Sequence, residues 1–226
     1  MTAGFFVTGT DTDVGKTWAT IALMRGLQGQ GLQVAGMKPV AAGCVWQDGQ
    51  LKNVDALLMQ ANASMDLDYS MINPYAFEPA VSPHFACGDV FVELPVLVDR
   101  FKQLQQLADL VVVEGAGGWY SPMSGEFDNA DLAKALDLSV ILVVGVRLGC
   151  INHARLTLKA IQQAKLSCLG WVAVEIDPLM QGFQANLAYL QQQLDVPLLA
   201  VLPHIQTPDF EFLSQQFNRE TLKKLI

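Results

Sequence analysis

The segment Gly9–Thr17, with the sequence GTDTDVGKT, lies between an apolar run and a run typical of a helix. A strand, a glycine-bearing turn and a helix in this order form the phosphate-binding loop of P-loop nucleotide-binding proteins. Unpaired N–H groups at a helix start attract anions, and Gly15 lets the backbone approach phosphates closely. Lys16 would place a positive charge near the outer phosphates, and Thr17 would offer a hydroxyl to Mg²⁺. We call Gly9–Thr17 the P-loop.

The spacing of this motif departs slightly from the common form. Five residues separate Gly9 from Gly15, where four are usual, so Thr10 occupies the position of the usual first glycine. The alternative is an ordinary strand-to-helix turn whose lysine is solvated. The flanking strand and helix patterns favour the nucleotide site.

Composition bounds the class of protein. The chain has 226 residues, 51% of them hydrophobic, and a net charge of −8 without a block of like charges. An acidic chain of this kind argues against binding to nucleic acid or to an anionic membrane, where a basic face is expected. We find no signal peptide and no apolar stretch of membrane-spanning length. Four cysteines without CxxC spacing are typical of reduced thiols in a cytoplasmic protein: Cys44, Cys87, Cys150 and Cys168.

Strand and helix patterns alternate along the chain. The predicted strands cover residues 5–9, 33–38, 109–114, 139–146, 168–174 and 197–202. The predicted helices cover residues 15–29, 54–61, 94–107, 129–136, 151–165 and 182–194, with a further helical tail from Asp209. A glycine-containing, polar stretch covers residues 41–53, and Asn53 or Asp55 could cap the helix that follows it. We expect residues 65–92 to be irregular. The pattern predicts an α/β fold with a doubly wound, mostly parallel sheet, helices on both faces, and one domain over residues 1–226.

Polar residues follow several of these predicted strands. The P-loop follows the first strand, Lys38 ends the second, Glu114 ends the strand at 109–114, and residues 146–152 follow the next. Parallel α/β sheets bind ligands at the carboxyl ends of their strands. We therefore expect these segments to share one site.

Two acids and a lysine are candidates for the chemistry of that site. Glu114 suits a Mg²⁺-facing acid, or instead caps the following turn. Asp55 could hold the same metal, or simply favour a helix dipole. Lys38 could be a solvated strand-end lysine, but together with Lys16 it could neutralise charge on a transferring phosphoryl group.

Two glycine-containing turns leave alternatives open. Gly115–Gly118 could let the backbone approach a ligand, or be only a flexible turn. Leu148–Asn152 precedes a helix whose N–H groups could hold a carboxylate, or begins an ordinary helix capped by Asn152. No base accompanies Cys150, which favours packing over nucleophilic catalysis. The three histidines show no metal-ligand spacing.

Taken together, these motifs resemble the dethiobiotin synthetase family over nearly the whole chain. The resemblance rests on FVTGTDTDVGKT, GMKPVAAG, NVDALLMQ, SPH at residues 82–84, VVVEGAGGWYSP and VILVVGVRLGCINHA. It implies a Mg²⁺- and ATP-dependent enzyme of biotin biosynthesis that joins CO2 to 7,8-diaminononanoate. One amine becomes a carbamate, the carbamate attacks the γ-phosphoryl group, and the second amine closes the ureido ring of dethiobiotin.

The resemblance also implies roles for individual residues. Lys16 and Lys38 would be catalytic. Thr17, Asp55 and Glu114 would hold Mg²⁺. The nucleotide would contact these residues and Asp13, Val14, Gly15, Trp18, Gly115, Ala116, Gly117, Pro203, His204 and Ile205. The substrate would contact Thr12 and Lys38 and, across the interface of a homodimer, Gly149, Cys150, Ile151 and Asn152.

Three departures from the family pattern accompany this match. Ala42 stands where Ser or Thr is common, which removes a hydroxyl contact worth about 0.5–1.5 kcal/mol. Asp13 stands where Glu is common. Val174-Glu175 stands where relatives carry Asn-Asp, so the amide that reads adenine is missing. This last difference leads to the hypothesis of a reduced preference for ATP over other nucleoside triphosphates.

Three other functions remain as alternatives. A partitioning ATPase that acts as a nucleotide switch usually has a second lysine early in its P-loop, where this chain has Asp11. A carboxylate-activating enzyme such as a cobyrinate amidase usually adds a glutaminase domain that this chain is too short to hold. A degenerate relative would bind nucleotide without turnover, although all five key polar residues are present: Lys16, Thr17, Lys38, Asp55 and Glu114.

Overall fold

The structure, a computed structural model, describes residues 4–226. Its strands are β1 (Gly4–Gly9), β2 (Val34–Met37), β3 (Val40–Ala41), β4 (Val45–Gln47), β5 (Gln50–Lys52), β6 (Tyr75–Ala76), β7 (Leu110–Gly118), β8 (Ser139–Gly145), β9 (Cys168–Val174) and β10 (Leu198–Leu202). Six of them form the central sheet in the order β10-β9-β8-β1-β7-β2. Every pairing in this sheet is parallel. The predicted parallel sheet is confirmed.

The helices are α1 (Lys16–Gln28), α2 (Val54–Ala61), α3 (Tyr69–Ile72), α4 (Pro83–Ala86), α5 (Leu94–Gln105), α6 (Asn129–Ala135), α7 (Cys150–Gln163), α8 (Phe183–Gln193), α9 (Phe210–Ser214) and α10 (Arg219–Lys223). Within residues 4–226, none of them combines the length and apolarity that a membrane crossing needs.

Strand β8 shows why the sheet has helices on both faces. Successive side chains of a strand point to opposite faces. Leu142 and Val144 pack with α7 and α8, whereas Ile141 and Val143 belong to the larger core that α1, α2, α5 and α6 line. All four side chains are essentially inaccessible to solvent. A strand without a polar face must be covered twice, which is the doubly wound arrangement.

The structure differs from the sequence prediction in its connections. Residues 41–53, a polar stretch in which the sequence indicated no strand, contain the antiparallel hairpin β4–β5. Residues 65–92 hold α3, β6 and α4, and β6 pairs with β3 in a small parallel sheet. Strand β7 continues past Glu114 to Gly118. The tail forms two short helices, α9 and α10.

Candidate active site

A cavity of about 860 Å³ opens at the carboxyl ends of β1, β2, β7, β9 and β10. The edge of the sheet therefore gathers the P-loop, Lys38 and Glu114, as sequence order predicted, whereas residues 146–152 do not line the cavity. Fourteen of the predicted site residues line this cavity: Thr12, Asp13, Gly15, Lys16, Thr17, Trp18, Lys38, Asp55, Glu114, Ala116, Gly117, Pro203, His204 and Ile205.

The P-loop presents an open helix start to the cavity. Helix α1 begins at Lys16, its N-cap is Gly15, and no side chain caps it or places an acid in its first turn. Gly15 has a φ of 83°, a left-handed conformation that glycine adopts without strain. A Cβ there would lie 2.7 Å from Val174 Cγ1, so strand β9 packs directly against the loop. The unpaired N–H groups at this helix start are suited to a phosphate.

Lys16 is folded back over the loop. Its Nζ donates to the carbonyl oxygen of Asp11 at 2.7 Å, and its side chain is buried. Burial lowers the pKa of Lys16 to about 8, although the Glu114 carboxylate counteracts part of this effect. The Lys16 ammonium is bonded to a backbone carbonyl rather than to a carboxylate, so it can bind an anion such as a phosphate.

A second lysine forms the centre of a buried charge cluster. Lys38 Nζ donates to Glu114 Oε1 at 2.6 Å and to Asp55 Oδ2 at 3.1 Å. Glu114 Oε1 also accepts from the Thr17 hydroxyl at 3.0 Å. Burial disfavours the charged ammonium, but the two carboxylates outweigh burial, so the pKa of Lys38 is raised above its ordinary value. Lys38 is therefore a permanently charged group at neutral pH.

The same cluster has the oxygen donors of a magnesium site. Glu114 is completely buried, and its Oε2 has no hydrogen-bond partner. Thr17 contributes a hydroxyl and Asp55 a half-buried carboxylate, and hard oxygen donors of this kind suit Mg²⁺. Among residues 4–226 no three His, Cys, Asp or Glu side chains group as a complete metal site. These residues therefore fit a cation that takes its other ligands from phosphate oxygens and water.

A polar network that the sequence did not reveal holds Lys38 and Asp55 in place. The Asn53 side chain caps α2 by accepting from the N–H groups of Asp55 and Ala56, as the predicted cap requires. Tyr69 accepts from the Asn53 N–H and donates to Asn73, whose amide donates to the Lys38 carbonyl at 2.7 Å. Only Asn53 carried a recognisable signal, the cap before an apolar helix.

The glycine turn after Glu114 is held by another residue that we did not predict. Asn129 is fully buried, and its amide donates to the carbonyls of Ala116 and Gly118 at 2.7 Å each. Ser121 Oγ accepts from the Gly118 N–H at 2.7 Å. The turn is thus fixed rather than flexible, and it brings backbone to the cavity wall. No local sequence pattern marks Asn129, because its partners lie earlier in the chain.

The far end of the cavity has mostly apolar walls. Val174, Ile176, Pro203 and Ile205 line it together with Glu175 and His204. The Glu175 carboxylate accepts from the His204 N–H at 3.2 Å. In this part of the chain, no side-chain amide stands at the wall.

The remaining predicted residues lie outside the cavity lining. Val14 is buried in the core below the P-loop, and Gly115 packs against Asn129. Gly149, Cys150, Ile151 and Asn152 form the start of α7, where Gly149 has a φ of 93° and Cys150 is buried. Contacts of this turn with a ligand or a second subunit stay a prediction.

Comparisons with known proteins identify the family. A family profile described as an AAA domain matches residues 3–211. The ATP-dependent dethiobiotin synthetase BioD of Xylella fastidiosa strain Temecula1 is 49% identical over 203 residues, which cover 89% of this chain and 90% of that protein. The enzyme of the same name from Xanthomonas campestris pv. campestris is 48% identical over 213 residues, covering 93% and 95%.

Solved structures agree on the fold at much lower identity. The cell division protein MinD of Aquifex aeolicus superposes with a TM-score of 0.61 at 14% identity and covers 98% of this chain and 95% of its own. The cell division ATPase MinD of Pyrococcus furiosus gives 0.55 at 16% identity, covering 99% and 100%. These likenesses show the P-loop NTPase fold, and the sequence relatives show the family: the chain belongs to the ATP-dependent dethiobiotin synthetases.

Proposed function

We propose that the protein is a Mg²⁺-dependent cyclo-ligase of biotin biosynthesis that converts 7,8-diaminononanoate, CO2 and ATP into dethiobiotin, ADP and phosphate. The observation that carries the proposal is the pair of buried lysines on one cavity. Lys16 lies at the phosphate-binding helix start, and Lys38 lies beside the buried Glu114. The close relatives named above support the same reaction.

The proposed reaction has three steps. One amine of the substrate adds to CO2 and loses a proton, which gives a carbamate. A carbamate oxygen then attacks the γ-phosphorus of ATP, and ADP leaves. The second amine attacks the carbonyl carbon of the resulting mixed anhydride, phosphate leaves, and the ureido ring closes.

The two lysines act mainly in the phosphoryl-transfer step. Negative charge is spread over the transferring group in such a transition state, and catalysis there consists mainly of positioning and charge stabilisation. Lys16 would bind the outer phosphates together with the N–H groups of α1. Lys38 would lie between the carbamate and the γ-phosphoryl group, where its raised pKa would keep it protonated at neutral pH.

Thr17, Asp55 and Glu114 would hold the magnesium ion. When bound, Mg²⁺ supplies neutralising charge to the β- and γ-phosphate oxygens. The unpartnered Glu114 Oε2 supports this assignment, since a buried carboxylate oxygen without a partner is costly. The glycine turn at 115–117 would contribute backbone contacts to the nucleotide.

The substrate would occupy the side of the cavity that Thr12, Lys38 and Ala42 line. We propose a homodimer in which Gly149, Cys150, Ile151 and Asn152 of one subunit hold the substrate carboxylate in the other. Exposed large apolar side chains at this turn and on the helix that follows it support an interface, because Leu148 is 96% exposed and Leu156 is 60% exposed.

The nucleotide base would lie at the apolar end of the cavity, between the P-loop and Pro203-His204-Ile205. Because no amide replaces the adenine-reading asparagine of relatives, we propose a reduced preference for ATP. Turnover with GTP and CTP should then be similar to turnover with ATP, and strict ATP dependence would refute this part.

A cytoplasmic location and a single domain over residues 1–226 complete the proposal. All four cysteines are unpaired thiols within the described residues, as in reducing compartments. Helices α9 and α10 pack against α1, which itself contacts β1, β2 and β7 of the central sheet.

The decisive experiment is a turnover assay. Purified protein would be mixed with 7,8-diaminononanoate, bicarbonate, Mg²⁺ and ATP, with dethiobiotin detected by mass spectrometry and phosphate release followed in parallel. We expect product that needs every component and disappears in Lys16→Ala and Lys38→Ala. Phosphate release that ignores the diamine would indicate a nucleotide switch. Absence of both product and hydrolysis would indicate a degenerate relative.

A further inference from the structure

An ion pair outside the cavity joins the P-loop to the turn that begins α7. The Arg147 Nη2 donates to Asp11 Oδ2 at 2.5 Å, across 136 positions of sequence. Neither residue lines the cavity. No role for either residue follows from the proposed reaction.

Asp11 makes two hydrogen bonds within the P-loop. Its backbone carbonyl accepts from Lys16 Nζ at 2.7 Å, and its Oδ1 accepts from the Thr12 N–H at 2.8 Å. Lys16 and Thr12 both line the cavity. The orientation of Asp11 therefore sets the positions of a phosphate-binding group and of a proposed substrate contact.

Arg147 is connected to the opposite segment in a comparable way. Its carbonyl accepts from the Cys150 N–H at 3.0 Å, which closes the turn before α7. A backbone bond from the Thr10 N–H to the Val143 carbonyl, also 3.0 Å, joins the same two segments one step deeper in the sheet. The guanidinium thus ties the turn at residues 148–152 to the first half of the P-loop.

We propose that Asp11 and Arg147 are a positioning pair that couples the geometry of the nucleotide site to that of the substrate-carboxylate turn. The substrate half of this statement rests on the proposed function of Gly149–Asn152. Nucleotide in one site would stabilise the P-loop and, through Asp11 and Arg147, the turn that serves the substrate. The acid at position 11 is then required as the acceptor for this arginine.

The sign of the mutational effects separates positioning from simple electrostatics. Asp11→Asn keeps an oxygen for the Thr12 N–H but removes a negative charge near the phosphates. Through-space electrostatics alone would therefore tighten nucleotide binding in Asp11→Asn and weaken it in Arg147→Gln. Positioning predicts weaker binding in both. The pair is about half exposed, so an effect of about two- to fivefold is expected.

The test is a double-mutant cycle on ADP affinity, measured by equilibrium titration with Mg²⁺ present. We expect each single variant to raise the Kd for ADP about two- to fivefold. The Kd of the double variant should not exceed that of the single variant that binds ADP less tightly. Arg147→Lys should bind ADP more tightly than Arg147→Gln. Arg155→Gln, which changes an exposed arginine on α7, is the matched control and should bind ADP normally. The urea midpoint should stay unchanged.

Turnover extends the test to the substrate side. The KM for the diamine should rise in both single variants, with kcat reduced less. Tighter ADP binding in Asp11→Asn, additive effects in the double variant, or losses that follow the urea midpoint would each overturn the proposal. If the unmodified protein makes no dethiobiotin, the proposed function fails, but the ADP cycle still decides whether the pair positions the P-loop.

Discussion

Replacement of Lys38 by methionine should lower the free energy of unfolding, because it removes the positive charge that neutralises the buried Glu114. Glu114 is fully buried, and Lys38 Nζ lies 2.6 Å from it. Lys38→Met would leave that carboxylate with only the Thr17 hydroxyl. Removal of one partner from a buried ion pair typically costs about 3–5 kcal/mol, and we expect a loss of unfolding free energy in that range at pH 7.

The partner variant should be milder. Glu114→Gln keeps the shape and an acceptor for Thr17, and it leaves Lys38 with Asp55, whose side chain is 31% exposed. We expect a loss of about 1–3 kcal/mol. The double variant Lys38→Met/Glu114→Gln buries no charge at this point, so its loss should fall below the sum of the two single losses.

Urea unfolding followed by circular dichroism measures all three variants. Added Mg²⁺ provides a second readout, because a cation that binds only the folded state stabilises it by mass action. It should stabilise Lys38→Met more than the unmodified protein and more than the double variant. Additive single losses, or equal Mg²⁺ effects in all variants, would refute the reasoning.

Three further predictions concern the loop and its supports. A bound phosphate raises the lowered pKa of Lys16, so ADP binding takes up a proton above pH 8. The Kd for ADP should therefore rise with pH above 8, by up to about tenfold per pH unit, in titrations at several pH values. Lys16→Arg should flatten this pH dependence. Gly15→Ala would place a side chain at a φ of 83°, with its Cβ 2.7 Å from Val174 Cγ1, so ADP affinity should fall more than about tenfold. Adding Val174→Ala removes the contact but not the backbone strain, so it should restore only part of the affinity. Asn129→Ala leaves the partly buried carbonyls of Ala116 and Gly118 without their donor and should lower the unfolding free energy by about 1–3 kcal/mol in urea titrations, whereas an unchanged midpoint would show that water replaces the amide.

The elements of the central sheet could be predicted because each is dominated by local pattern. Strand β8 is apolar at every buried position, and α1 follows a motif that requires a helix at that point. The hairpin β4–β5 could not be predicted, because its residues are largely exposed and only a few pair across it. Helices of four residues such as α3 depend on tertiary contacts rather than on propensity.

The site residues also differ in whether local sequence pattern could predict them. Lys16, Lys38 and Glu114 follow or end predicted strands, so strand order alone placed them together. Asn73 and Asn129 are recognisable only from the carbonyls that they hold, and those carbonyls belong to residues far away in the chain. Sequence therefore indicated the lysines and acids proposed to act on the phosphates, but not Asn73 and Asn129, whose amides hold the backbone around them.

Strand β1, which delivers the P-loop, has no neighbour close to it in sequence. Its partners are β7 and β8, so that Gly4 lies opposite Val111 and Phe5 opposite Ser139. Contacts between distant parts of a chain form slowly, since a long loop must close before they contribute. During synthesis, β1 must therefore wait for β8 to be made before the strand beneath the phosphate site is fully paired. The strand that delivers the P-loop is therefore made before both of its partners and is fully paired only after them.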